Sequence, residues 1–167
     1  MKSIPLRPDL STPADFRGFY MYMLSNSSPK IVELMMYPLL LNITADNAPL
    51  SLSLASIDQN SIFILDTGVN LFFYIGKAVD QEITASLFED MKSGPFLYQP
   101  PENEFSNYVS ELLLFLLENR VVKPRYILVN GNETSVYCDI FFSYMYDDRM
   151  YQLPSASEFR NTLDSKK

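Results

Sequence analysis

The stretch NSIFILDTGVNLFFYIGKAVD, Asn60 to Asp80, holds two hydrophobic runs around a short polar turn. Ser61–Leu65 and Val69–Ile75 have strand composition, and Asp66-Thr67-Gly68 joins them. A three-residue hairpin loop ends in a residue of positive φ, which Gly68 supplies without steric cost. Asp66 can accept a hydrogen bond from a turn amide. Ile62, Ile64, Leu71, Phe73 and Ile75 share one parity; Phe63, Leu65, Phe72 and Tyr74 share the other. Successive strand side chains face opposite ways, so both faces of this sheet are apolar. Such a sheet needs helices over each face.

The rest of the chain supplies them. In STPADFRGFYMYML, Ser11 or Thr12 caps, Pro13 takes the first helical position and Asp15 suits the positive end of the dipole. Phe16, Phe19, Tyr20 and Met23 then form one apolar face. Ser28-Pro29 opens a short helix through about Met35, and Pro38 ends it by removing an amide donor and biasing Tyr37 away from helix. LLLNI reads as a first strand. Residues 44–60 read as a polar loop, with SLSLASI along a sheet edge.

Downstream, Val79, Ile83, Leu87 and Met91 recur at four-residue steps and predict a helix over VDQEITASLFEDMK. SGPFLYQPPENE is a Gly- and Pro-rich loop. EFSNYVSELLLFLLENR carries the strongest helical stripe, formed by Phe105, Tyr108, Val109, Leu112, Leu113 and Leu116, and Pro124 breaks it off. RYILVNGN is a strand closing at Asn130-Gly131. ETSVYCDIFFSYMY is compatible with helix or strand: Tyr137, Ile140, Phe141, Tyr144 and Met145 have helical spacing, and helix is favoured over its β-branched and aromatic content. SASEFRNTL is a last short helix, and the final Ser-Lys-Lys is frayed. The fold class is α+β, a central mixed sheet covered by helices on both faces. There is no internal repeat and no low-complexity region.

Composition narrows the function. At 167 residues the chain fits one domain with an appendage. A net charge of −7 without a run of Lys or Arg beyond the terminal pair argues against nucleic acid or an anionic membrane as partner. With no histidine and only Cys138, the usual zinc sets, a Ser–His or Cys–His pair and an internal disulfide cannot be built. The N-terminus lacks a signal-peptide core, so a reducing cytosolic compartment is expected. The sequons at Asn26, Asn42 and Asn132 are then chance matches. The longest apolar stretch, Leu112–Leu117, is far short of a membrane span.

Four features invite a chemical reading, and each has a plainer one. Gly76 before KAVDQE could admit a phosphate to a helix N-terminus, but without GxGxxG or a P-loop it reads as a turn glycine. Asp147-Asp148 could seed a metal or acid–base site, yet lacks a cation loop and reads as a solvated turn. Cys138 among apolar neighbours reads as a buried, inert thiol. The Tyr-rich stretches 19–22 and 144–151 could stack bases, but in an acidic chain they read as packing. No catalytic, cofactor-binding or metal-binding residue is assigned. The residues favour a scaffold or binding module over an enzyme.

The ordered motifs resemble one family. IFILDTGVNLFFYIGKAVDQEITASLF resembles the C-terminal gelsolin-like module of the COPII-coat cargo adaptor, the Sec twenty-four family. Its hydrophobic strand, Asp-x-Gly hairpin, aromatic strand ending in Gly and following helix fall on Ile62–Leu65, Asp66 and Gly68, Phe72–Gly76 and Val79–Phe88. Upstream, Asp15 and Arg17 match an Asp-x-Arg helix, and Tyr37, Pro38 and Leu40 match a His/Tyr-Pro-x-Leu strand. Downstream, Asp147, Asp148 and Arg149 fill an acidic-pair-plus-Arg closure, and SASEFRNTL stands where a terminal helix is expected. Tyr74 replaces a common Trp, and Leu39 a common basic residue.

The resemblance implies that residues 1–36 end an upstream helical region and residues 37–167 form the gelsolin-like domain. It implies a non-enzymatic coat component in endoplasmic-reticulum-to-Golgi transport. The partners would be the GTPase-activating coat subunit and transmembrane cargo, met through the whole protein. The location would be cytoplasmic, peripheral on endoplasmic reticulum and COPII vesicles. No cofactor is implied in this chain; zinc would lie outside it. The alternative is a gelsolin- or cofilin-type actin-binding module, for which a Gly-Asp pair is missing while Glu82 or Glu89 could supply a helix carboxylate.

Overall fold

Ile62–Asp66 (β3) and Asn70–Ile75 (β4) pair antiparallel, Phe63 opposite Tyr74 and Leu65 opposite Phe72. In this computed structural model, residues 14–118, 120 and 122–146 are described. The hairpin turns as its sequence predicts: Gly68 has φ of +80°, and the Asp66 carboxylate accepts from the Gly68 amide at 2.9 Å. Four further strands extend the sheet: Leu39–Asn42 (β1), Pro49–Leu50 (β2), Gly94–Pro95 (β5) and Arg125–Asn130 (β6). The order is β2-β1-β3-β4-β6-β5. Only β4 and β6 run parallel; the other pairs are antiparallel.

The two parities of the hairpin separate into two cores. Ile62, Ile64, Leu71, Phe73 and Ile75 meet Val109, Leu113 and Leu116 of the long helix Glu104–Leu117 (α4). Phe63, Leu65, Phe72 and Tyr74 meet Phe141 and Tyr144, brought by the helix Val136–Ser143 (α5) and its C-cap. The segment around Leu50, Leu52 and Ile57 also covers this second face, rather than only bordering the sheet. Phe73 and Phe63 are wholly buried. The Tyr74 ring stacks on Phe141 at 4.8 Å. Truncating a buried phenylalanine costs about 3–5 kcal/mol, so either face alone holds a large share of a domain's stability, roughly 5–15 kcal/mol.

A third cluster joins Ala14–Asn26 (α1) to Pro29–Met36 (α2) through Tyr20, Met23, Ile31, Leu34 and Met35. Leu39 and Val69 link it to the sheet. A Cβ on Gly68 would lie 2.8 Å from the Met35 side chain, so α2 sits directly on the hairpin turn. Tyr37 leaves the helical region before Pro38, with φ −136° and ψ 87°. Of the expected stripe on α1, Tyr20 and Met23 are buried while Phe19 is exposed. The expected caps Ser11, Thr12 and Pro13 and the side chain of Phe16 lie outside the described residues.

Three predicted boundaries shift. The helix expected across VDQEITASLFEDMK, and to Phe88 by resemblance, is only Gln81–Ala85 (α3), with Ile83 exposed. Asp80 caps it, and the Thr84 and Ser86 hydroxyls bond to the Gln81 and Ile83 carbonyls, where such side chains compete with continued helix. Second, α4 ends at Leu117, well before Pro124; the extended Glu118 breaks it. Third, the SGPFLYQPPENE loop begins with edge strand β5, where Pro95 is tolerated because no further strand needs its missing N–H.

Candidate functional site

The most polar feature of the core was not visible in the sequence pattern. Arg120 and Asp66 form an ion pair whose side chains are 2% and 0% exposed. The guanidinium also donates to the Leu116 carbonyl at 2.9 Å and to the Gly68 carbonyl at 3.0 Å. One side chain thus closes the last turn of α4 and fastens the hairpin turn to it. Burial pushes the Asp66 carboxyl above its ordinary range, while the Arg120 charge and the Gly68 amide pull it back. The pair is sealed from solvent, so its geometry suits holding rather than catalysis. A buried charge requires a partner; the signal in the sequence was one Arg between LLFLLEN and VV, with nothing to name Asp66, 54 positions away.

The residues singled out for chemistry do not converge. Gly76 is required by close approach: a Cβ there would lie 2.2 Å from the Gln59 carbonyl oxygen. Its amide donates to Ser61 and the Ala78 amide to Gln59, at 3.0 and 2.9 Å. Cys138 is half-buried, not buried as expected, because it lies at the N-terminal edge of α5 while Phe141 takes the core position. Its sulfur lies 3.3 Å from the Glu133 carbonyl and 3.4 Å from the Ser135 hydroxyl. In the Tyr-rich stretches Tyr20 and Tyr144 are buried, whereas Tyr22 and Tyr146 are exposed. Glu82 is on α3, but Glu89 is on no helix. Asp147, Asp148, Arg149 and the segment SASEFRNTL lie outside the described residues. Among the described residues no His/Cys/Asp/Glu group could hold a metal ion, and no helix is long and apolar enough to cross a membrane.

Two surfaces stand out instead. On α4, Leu114 and Phe115 face outward, 70% and 61% exposed, with the Lys30 ammonium 5.0 Å from the Phe115 ring centre. Between α3 and the segment after β5 lies a concavity lined by residues of 87–90 and 96–99.

Comparison with known proteins agrees with this architecture. The gelsolin repeat model matches residues 44–92, from the end of β1 through the hairpin and α3. Protein transport protein sec24 of Schizosaccharomyces pombe is 28% identical over 125 residues, covering 70% of this chain and 14% of that protein. Protein transport protein SEC24 C of Arabidopsis thaliana is 25% identical over 172 aligned positions, covering 95% of this chain and 16% of that protein. The chain therefore spans only 14–16% of the length of these relatives. The crystal structure of the human COPII-coat protein Sec24c superposes with a TM-score of 0.79 at 21% identity, over 98% of this chain and 24% of that one. A two-faced mixed sheet shared with Sec24c, a gelsolin-repeat match across the hairpin and two curated relatives thus lead to one statement: the chain has the Sec24c fold and is similar in sequence to Sec24 transport proteins.

Proposed function

We propose that this chain is a non-enzymatic module of a COPII cargo-adaptor subunit acting in endoplasmic-reticulum-to-Golgi transport. The observation that carries the reading is the pair of curated transport-protein relatives, one of them aligned over 95% of the chain. The physical support is the buried Asp66–Arg120 pair, which is spent on fastening α4 to the hairpin. In this reading residues 1–36 complete an upstream helical region and residues 37–167 form the gelsolin-like domain. The partners are the GTPase-activating coat subunit and membrane cargo, met through the larger protein. Zinc belongs to a finger outside this chain, and the location is the cytoplasmic face of endoplasmic reticulum and its vesicles.

The gelsolin repeat match gives an actin-binding module as the second reading. Tagging the protein in cells separates the two. The expected result is recovery of the GTPase-activating coat subunit with the tagged protein and no calcium-dependent co-sedimentation with actin filaments. Recovery without that subunit, or calcium-dependent sedimentation with actin, would overturn the proposal.

A further inference from the structure

The concavity beside α3 has the composition of a small recognition site. Its floor is Leu87 and Phe88, which also belong to the first core. Phe96 and Tyr98 form a wall, their rings edge-to-face with Phe88 at 5.8 and 6.2 Å. Both rings also pack on Phe73, at 5.7 and 5.6 Å, so the wall is anchored to the central hairpin. Leu97 stands on the lip and is 84% exposed, the most exposed of the large apolar side chains described. The volume is about 140 Å³, comparable to a cavity that accepts one benzene ring.

The rim carries charge of one sign. Glu89 and Asp90 line the opening, and neither has an ion-pair partner among the described residues. The nearby cation Lys92 lies outside the lining, close enough to Glu133 to favour its carboxylate. Asp90 accepts from the Lys92 amide at 3.1 Å, and an apolar floor with an exposed apolar lip and two carboxylates lacking an ion-pair partner is complementary to an aliphatic or aromatic side chain followed by cations.

We propose that this concavity binds a short peptide segment in which a Leu or Phe side chain enters the pocket and an adjacent pair of basic residues meets Glu89 and Asp90. The proposal stands independently of the coat reading, since it concerns binding by this chain alone.

The probe is the acetylated, amidated peptide Gly-Leu-Lys-Lys-Gly, titrated into the isotope-labelled 167-residue chain and followed by amide chemical shifts. Saturable shifts confined to residues 87–90 and 96–99 are expected. A Ser-for-Leu peptide and a Glu-for-Lys peptide should each bind at least about tenfold more weakly, a difference of about 1.4 kcal/mol. Leu97→Asp and Glu89→Lys, both at exposed positions, should weaken binding while leaving the remaining spectrum in place. Absence of shifts at millimolar peptide, equal binding of the control peptides, or shifts centred elsewhere would overturn the proposal. Concentration-dependent shifts of the same residues without peptide would assign the pocket to a second copy of the chain and overturn it equally.

Discussion

The β3–β4 hairpin and the segment from Val79 to Tyr98 are neighbours built on opposite principles. In the hairpin every strand side chain except Asn70 is buried, and its alternation serves two cores at once. The following segment has one short helix, a two-residue edge strand and an aromatic layer over Phe73, with Ile83 and Leu97 left exposed. The first is a buried frame; the second buries Thr84, Leu87 and Phe88 and leaves much of the rest as surface.

The largest expected effects lie in the frame. Phe73→Ala and Phe63→Ala should each lower stability by about 3–5 kcal/mol in denaturant melts, since each side chain is wholly buried on its own face. Losses under about 1 kcal/mol at both sites would erase the contrast with the neighbouring segment. Comparable in size is the loss from Arg120→Met or Asp66→Ala, about 3–5 kcal/mol, because either leaves one buried charge alone. The double variant should lose clearly less than the two singles summed, as expected for groups in contact. Simple additivity would show that the pair does not join α4 to the hairpin.

A smaller effect is expected at the helix over the second face. Ser135 caps α5 by accepting from the Cys138 amide, and Ser135→Ala should cost about 1 kcal/mol. The smallest effect at neutral pH comes from tyrosine ionisation. Burial raises the phenol pKa of Tyr144, and also those of Tyr20, Tyr74, Tyr98 and Tyr126. A raised pKa means that the folded state holds the proton more tightly than the unfolded one. The contribution is fully present below the unfolded value near 10 and is lost as pH rises above it. Denaturant midpoints should fall above about pH 10, with phenolate absorbance lagging behind free tyrosine until the chain unfolds. Five tyrosines titrating like the free residue would contradict their burial.

What could be read from the sequence divides along the same line. The hairpin's parities, its Asp66 and Gly68 turn and the stripe of α4 follow from local periodicity, which sequence displays directly. Within ETSVYCDIFFSYMY, Val136–Ser143 is the helix that the spacing predicts, with Phe141 turned inward. The resemblance to the cargo-adaptor family was legible because several motifs occur in order, though each alone is short. The segment after Ile75 was misread because four apolar residues at four-residue steps outweighed Asp80, Thr84 and Ser86, whose side chains cap and interrupt a helix. The Gly94-Pro95 strand has no propensity signal; its pairing with β6 is a tertiary fact. The Asp66–Arg120 pair and the concavity beside Leu97 depend on residues meeting in three dimensions, which spacing does not encode.

Native-state hydrogen exchange, followed amide by amide, tests the division between frame and surface most directly. Amides in the pairs of β3 with β4 and of β4 with β6 should exchange only through global unfolding, with protection that tracks the denaturant stability. Amides from Gln81 to Tyr98 should exchange through local openings of lower free energy, largely insensitive to denaturant. Uniform protection across both regions, or a hairpin that opens before α3 does, would contradict the account.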